Sequence, residues 1–377
     1  MSSSRLRVVV DYRPALRART GAGAYVHQLV QAYTARSADQ MVVFSSSWKD
    51  RVAPSVAADL KVQVVDRRVP VQLLNYLWHR HQWPPVETLA GPADIVHAGH
   101  PLLIPARSAA QVVTVHDLYF LSHPDDTSGE VRRDYPDLVR AHVQRADAVV
   151  TSSHYTKTNI VRLLGVDQAR VHLVRPGAPT WATPGRAPAL PSEGYILFLG
   201  TLEPRKNLGV LLDAYERLIG RGRAVPSLVV AGAAGLGAQQ WIDRMNRAPL
   251  RSRVTYRGYV READREQLFR GARAVVLPSW DEGFGLPALE GMAVGTPVIV
   301  SNAGALPEVV GDAGVLVSPD DPDAWAQAIE RITHDDAWAQ ERAAAGLDRA
   351  RAFQWPDAAD ALGVAYAAAV ERRRVRG

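Results

Sequence analysis

Pro278–Glu290 reads PSWDEGFGLPALE. An apolar run of strand length, Ala274 to Leu277 (AVVL), leads into it. Glu282-Gly283-Phe284-Gly285 then forms a Gly-rich loop, and Pro287 marks a helix start. Proline suits a first helical position because its missing N–H would have no partner there anyway. A glycine loop feeding a helix N-terminus offers unpaired backbone N–H groups and a positive dipole end, which is an anion site suited to phosphate. Glu282 stands in the loop and Glu290 in the first turns of the helix. Carboxylates repel phosphate, so these two read as acceptors for sugar hydroxyls on either side of it. The expected ligand is a sugar joined to a nucleotide through a diphosphate. The competing reading is an acidic loop before an ordinary core helix.

Outward from this stretch, short apolar runs alternate with helical patterns. In the second half, strands are expected at Tyr195–Leu199, Ser227–Ala231, Val254–Arg257, Ala274–Leu277 and Pro297–Val300. In the first half they are expected at Leu6–Val10, Met41–Phe44, Gln63–Val65, Ile95–His97, Gln111–Val115 and Ala148–Thr151. Helical stretches fall between many of them, among them Ala24–Arg36, Gly209–Arg221 and Glu262–Gly271. This alternation implies an α/β protein with parallel sheets covered by helices on both faces. In such sheets ligands bind beyond the carboxyl ends of the strands.

The 377 residues exceed one comfortable core, so two domains are expected. Five prolines between Pro176 and Pro191 mark the boundary as a semi-rigid hinge. The expected division is 1–178, an N-terminal Rossmann-like domain, and 192–354, a C-terminal one, followed by a terminal helix in 355–377.

Three further segments sit where chemistry is expected. Gly200-Thr201-Leu202-Glu203-Pro204-Arg205-Lys206-Asn207 follows the strand Tyr195–Leu199. Arg205 offers a fork of donors and Lys206 a point charge, both suited to a diphosphate leaving group. Thr20-Gly21-Ala22-Gly23-Ala24-Tyr25 lies between the first strand and a helix, where Gly23 can bring the backbone close to a phosphate or sugar. Val26 stands where a dinucleotide fingerprint needs a third glycine, which argues against an oxidoreductase. His116-Asp117-Leu118 follows another strand, and His116 is a candidate hydrogen-bond donor to the sugar.

Taken together, the segment with Glu282 and Glu290 resembles the E-x7-E signature of retaining glycosyltransferases of the GT-B fold, family 4. GTLEPRKN resembles that family's G-T-x-E-P-R-K-N segment, and His116-Asp117-Leu118 its H-D-L-x-x-L motif. The family's arginine after the glycine is Thr201 here, and its arginine in the first glycine loop is Ala24. The resemblance implies two Rossmann-like domains facing a cleft, with 355–377 crossing back to the N-terminal one. It implies that Glu290 takes the ribose hydroxyls. Glu282, with the backbone N–H groups of Phe284, Gly285 and Leu286, would hold the sugar. Arg205 and Lys206 would stabilise the departing diphosphate, with Thr201 and Gly23 beside it. Tyr259 and Val260, in VTYRGYV, would lie by the base. The donor is a substrate, so no cofactor and no metal is expected. GDP-mannose is favoured over a UDP-sugar. The acceptor would be a glycan, a lipid-linked glycan or a small molecule. The alternatives of the same fold are a sugar-nucleotide 2-epimerase and a non-catalytic sugar-nucleotide-binding assembly protein.

Composition fits a globular enzyme, with 47% hydrophobic and 22% charged residues. There is no apolar run of ~18 residues and no signal-peptide core, so a cytoplasmic protein is expected. Zero Cys excludes disulfides and thiolate metal sites. The +5 net charge is uneven: 22 Lys/Arg against 15 Asp/Glu over residues 1–190, and 22 against 24 over 191–377. A basic first half suits peripheral contact with anionic lipid. No basic run interleaved with aromatics points to nucleic acid.

Overall fold

The computed structural model describes residues 5–16, 21–124, 134–182, 187–192, 194–222 and 224–376. It divides into two units. The first comprises Met1–Leu118, Glu130–Gly177 and Gln354–Gly377, and the second Tyr119–Gly129 and Ala178–Phe353.

Among the described residues the first unit is built on seven parallel strands: β1 (Arg7–Asp11), β2 (Gln40–Ser46), β3 (Gln63–Arg67), β4 (Ile95–Ala98), β5 (Ala110–Thr114), β6 (Ala148–Thr151) and β7 (Val171–Leu173). Their order is β3-β2-β1-β4-β5-β6-β7. Strands β4, β5 and β6, mostly Val, Ile and Ala, have every residue buried, because helices cover both faces of a parallel sheet. The terminal helix Trp355–Arg376 belongs to this core. Ala358, Leu362, Ala365, Tyr366 and Ala369 recur at helical spacing and pack with Val8, Val10, Ile95 and Val112. Tyr366 then reaches into the sheet layer: its hydroxyl is 2.8 Å from His97 Nδ1, while His97 Nε2 is 2.8 Å from Thr114 Oγ1.

Among the described residues the second unit has six parallel strands: β8 (Tyr195–Leu199), β9 (Leu228–Ala231), β10 (Val254–Gly258), β11 (Ala272–Leu277), β12 (Val298–Ser301) and β13 (Val315–Val317). The order is β10-β9-β8-β11-β12-β13. Strand order reverses between β8 and β11, which pair directly (Val275 beside Leu197). Loops leaving two such strands diverge to opposite sides, and the crevice between them is where ligands of doubly wound sheets bind. The first sheet has the same reversal between β1 and β4.

Two strands escape the sequence reading. β7 and β13 are three residues each, too short to show a period, and both are edge strands. One helix boundary also needs correction. The helix expected from Ala24 starts at Gly21, so Gly23 lies in its first turn rather than in a loop. A Cβ on Gly23 would stand 2.5 Å from the carbonyl oxygen of Pro14, so close helix packing already requires glycine there. Thr20, named with this loop, and residues 183–186 of the hinge fall outside the described residues.

Candidate active site

The carboxyl ends of β8 and β11 bring the sequence-predicted charges of the second unit together. After β8 the chain makes a one-turn 3-10 helix, Pro204–Lys206, and leaves it through Asn207 in the left-handed region (φ 52°). Asn207 fixes that turn, its Nδ2 donating to the carbonyls of Pro278 (3.0 Å) and Pro319 (2.8 Å). Trp280 N donates to Arg205 O at 2.9 Å, so the two loops are also joined by backbone.

Glu282 sits between them, 5% exposed. Its Oε1 accepts from Lys206 Nζ at 2.6 Å and from Ser279 Oγ at 2.8 Å. Its Oε2 accepts from Arg205 Nη1 at 3.2 Å. Arg205 is held further by Glu203 Oε1 (2.8 Å) and the Asp281 carbonyl (2.9 Å). Burial pushes the Glu282 carboxyl up, but the charges of Lys206 and Arg205 and the hydrogen bonds from Lys206 and Ser279 outweigh it, holding its pKa at about 2. The carboxylate is therefore ionised and fixed. It uses three of about four acceptor positions.

The loop then turns through Gly285, the N-cap of the helix Leu286–Ala293, at φ 97°. A Cβ there would meet Leu306 Cδ2 at 2.5 Å. Gly304, at φ 63°, allows an equally close approach from the other side: its Cβ would stand 2.5 Å from Glu282 N. Glycine is needed at both positions. Pro287 occupies the second helical place, one later than the sequence suggested, since Leu286 opens the helix. Phe284 and Leu286 face the apolar cluster of Leu289, Val309 and Val260. The first-turn N–H groups therefore stay at the loop end of the helix.

Glu290 is one turn further along, its side chain 15% exposed. Its Oε2 accepts from Arg265 Nη2, a partner on the helix Glu262–Arg270. Burial raises the Glu290 pKa, and Arg265 offsets only part of the rise. Tyr259 follows Gly258 (φ 64°) after β10 and is 45% exposed. Val260 packs into the same cluster as Phe284, which brings the β10 turn alongside the Gly-rich loop. Thr201 lies in the β8 loop, its Cγ2 2.9 Å from where a Cβ on Gly235 would be.

His116 belongs to the first unit. Its Nε2 is 3.2 Å from the Gly99 carbonyl, so that nitrogen carries the proton and donates. Burial lowers its pKa and keeps the ring neutral. Tyr25 meets the ring edge-on at 5.5 Å. Near the same sheet edge, buried Asp11 accepts from Arg13 Nη2 at 2.7 Å and lies 3.2 Å from His100 Nε2. Sequence reasoning missed Ser279, Asn207 and Arg265 in the second unit and Asp11, Arg13 and His100 in the first. Ser279 and Asn207 were legible in principle, three residues before Glu282 and one after Lys206, and Asp11 and Arg13 are two residues apart; Arg265 and His100 become neighbours of these groups only through the fold. Among the described residues, no group of three or more His, Cys, Asp or Glu could hold a metal ion.

The glycosyl transferases group 1 family model matches residues 193–335, and the glycosyltransferase family 4 model residues 19–181. The O-antigen chain mannosyltransferase B of Escherichia coli is 31% identical over 373 residues, 93% of this chain and 96% of its own length. Glycogen synthase of Mycobacterium tuberculosis is 33% identical over 297 residues, 74% of this chain and 70% of its own. Sucrose-phosphate synthase from Thermosynechococcus elongatus superposes with a TM-score of 0.77 at 22% identity, covering 96% of this chain and 98% of that one. The chain is a hexosyltransferase with the GT-B fold and belongs to the group 1, family 4 glycosyltransferases.

Proposed function

We propose that the enzyme is a retaining transferase that moves mannose from GDP-mannose to a hydroxyl of a growing glycan in polysaccharide or glycoconjugate assembly. The observation that carries this reading is the carboxylate Glu282, fixed by Lys206, Arg205 and Ser279 beside a glycine-capped helix N-terminus. It puts two cations and a set of backbone donors next to a carboxylate that stays ionised at every working pH. That combination matches a sugar hydroxyl next to a diphosphate. The full-length similarity to an O-antigen mannosyltransferase supports mannose as the sugar.

In this mechanism the diphosphate lies against Lys206, Arg205 and the first-turn N–H groups near Gly285, with Thr201 lining its path. Glu282 and the N–H groups of Phe284, Gly285 and Leu286 orient the sugar. Glu290 accepts from the ribose hydroxyls, and Tyr259 and Val260 flank the base. The bond between the anomeric carbon and the diphosphate oxygen breaks as the acceptor oxygen bonds to the same face of that carbon. The acceptor's proton passes to the departing phosphate oxygen, so no protein nucleophile is needed, unlike the paired carboxylates of retaining glycosidases. Lys206 and Arg205 stabilise the charge that develops on the leaving group.

The test is a panel of GDP-mannose, UDP-glucose, UDP-N-acetylglucosamine, GDP and UDP in a thermal-shift assay of wild type and Glu290→Ala. GDP-mannose and GDP should raise the melting temperature, and Glu290→Ala should lose the shift. A shift with UDP-sugars alone would replace the donor. No shift with any member, in a folded protein, would sink the donor-site reading.

A further inference from the structure

The terminal helix Trp355–Arg376 ends in a run of arginines that the transfer reaction does not use. Arginine in the last turn of a helix suits its dipole, and two of these residues are accounted for locally. Arg373 donates to the carbonyls of Arg107 at 3.1 Å and Ser108 at 3.4 Å, and Arg374 pairs with Glu371 at 3.9 Å. Arg372 and Arg376 instead come close enough to Arg170 to repel it. Arg170 is the last residue of the 3-10 turn Gln168–Arg170 that leads into β7. Asp147, just ahead of β6, lies 3.5 Å from Arg376 Nη1. Strands β6 and β7 pair in parallel, so these side chains gather at the amino edge of the first sheet. Asp11 and His116 stand at the opposite ends of their strands, β1 and β5.

Arg170 is an unfavourable place for more positive charge, since it is only 7% exposed. One end of its guanidinium is satisfied: Nη2 donates to the carbonyls of Val143, at 3.1 Å, and Ala146, which close the helix Tyr135–Arg145. Its Nε is buried and has no hydrogen-bond partner among the described residues, and the same holds for Arg372 Nε. A buried N–H without a partner costs free energy, more when it belongs to a cation. Asp147 and Asp167, the acids that act on Arg170, are turned elsewhere. Asp147 Oδ2 accepts from Gln111 N at 2.9 Å, and Asp167 Oδ1 caps the 3-10 turn, accepting from Ala169 N at 3.0 Å. Burial lowers the Arg170 pKa, and repulsion by Arg372 and Arg376 lowers it by more than the attraction of Asp147 and Asp167 restores.

Three guanidinium groups around unmet N–H bonds call for an anion with several acceptor oxygens. A phosphate group fits in charge and shape: it carries close to two negative charges at neutral pH and takes a guanidinium fork on two of its oxygens. A carboxylate brings one charge. We propose that Arg170, Arg372 and Arg376 bind a phosphate group of a small soluble molecule, at the far end of the first sheet from Asp11 and His116. The buried position of Arg170 suits a free anion better than a bilayer surface, which meets only what projects. Arg376 is exposed and Arg372 half-buried in the last turn of the helix, so both side chains can swing to admit the anion. Once bound, it ties that last turn to the start of β7. The proposal is independent of the donor assignment.

The experiment is a thermal-shift titration of the full chain with inorganic phosphate and with pyrophosphate, against sodium chloride of equal ionic strength. Pyrophosphate can also enter a donor's diphosphate position, so Lys206→Ala is run beside wild type. Both should gain melting temperature with either anion, by about 2 to 4 °C at ten times the half-saturating concentration. Arg372→Gln should melt no lower than wild type in chloride, because it relieves a repulsion, and should lose the gain. Arg376→Gln, at an exposed position, is the second variant and should raise the half-saturating concentration about tenfold. Equal gains in wild type, Arg372→Gln and Arg376→Gln overturn the proposal. So does a gain lost in Lys206→Ala, which moves the anion to the donor position, and so does the absence of any gain in wild type. Vesicles containing phosphatidylglycerol are the remaining arm. Co-sedimentation that Arg372→Gln abolishes, without a response to free phosphate, overturns the proposal and gives the arginines to lipid.

Discussion

The two sheets share one topology and end in opposite kinds of chemistry. In the second unit the carboxyl edge carries formal charges locked in pairs: Glu282 with Lys206 and Arg205, and Glu290 with Arg265. In the first unit the same edge is lined by neutral histidines around one buried ion pair, with exposed aromatic side chains beyond them. On the proposed reading the difference follows from what each edge would hold. A diphosphate needs fixed cations and oriented N–H groups, and these must keep their charge. An uncharged glycan hydroxyl needs hydrogen bonds from groups that stay neutral. If that division is right, perturbing charge should damage the second unit's function first and protonation should damage the first unit's stability first.

The largest effect is expected at Lys206. Lys206→Ala removes the cation 2.6 Å from Glu282 that would face the leaving diphosphate. Loss of one preorganised electrostatic stabiliser costs about 10²- to 10³-fold in kcat, roughly 3 to 4 kcal/mol. The measurement is steady-state transfer with saturating donor. A change confined to donor KM would mean that Lys206 acts in ground-state binding alone. A variant as active as wild type would break the comparison outright.

Acid comes next. His97 is fully buried, and burial lowers its pKa from 6.5 to about 3. His79 is held at about 3 and buried His142 at about 4 chiefly by the same cause, and His79, being partly exposed, counts for less. A histidine with a depressed folded pKa lends its full stability above pH 6.5, and that stability is lost as the pH falls toward the folded value. Glu282 follows the same sign in a lower window, between its ordinary 4.5 and about 2. Glu290 runs the other way: its raised pKa makes its contribution largest below 4.5 and lost as pH rises through the folded value. Between pH 6.5 and 4.5 the first unit should therefore weaken alone. His97 by itself contributes roughly 2 to 3 kcal/mol of that loss. Hydrogen exchange, corrected for intrinsic rates, should show protection falling in β1, β4 and β5 while β8 and β11 hold. Parallel loss in both sheets would contradict the assignment.

These two edges were not equally legible in the sequence. The second unit's charges lie in two continuous motifs, each directly after an apolar run, so residues 200–207 and 278–290 could be read without the fold. Their pairing could not. Lys206 and Arg205 looked like cations waiting for a diphosphate, and only the adjacency of β8 and β11 shows that Glu282 already holds them. Arg265 was invisible because it is one charge on a polar helix until that helix packs beside Glu290. At the first unit's edge the informative residues, Asp11, His97, His100 and His142, are scattered over more than a hundred positions. No local pattern links them. The strands themselves were legible almost throughout because a buried parallel strand is a continuous apolar run. The exceptions were three-residue edges.

The smallest effect separates strain from function. Gly258 (φ 64°) ends β10 just before Tyr259, and Gly165 (φ 64°) caps the helix His154–Leu164 in the first unit. A Cβ on Gly258 would meet nothing within 4 Å, and on Gly165 only Gln144 Nε2 at 3.9 Å. Neither substitution creates a clash, so each pays only for placing an L-residue in the left-handed region, about 1 kcal/mol. Gly258→Ala and Gly165→Ala should thus lower stability toward denaturant by similar amounts. Their functional consequences should differ. Gly258 O accepts from Gly232 N at 2.7 Å, and the turn it ends sets Tyr259 and Val260 beside the Gly-rich loop. A relaxed turn there should raise donor KM a few-fold and leave kcat nearly unchanged, whereas Gly165→Ala should leave both constants alone. Equal kinetics in the two variants would remove Tyr259 and Val260 from the nucleotide end of the site and leave donor binding to Glu290, Lys206 and Arg205.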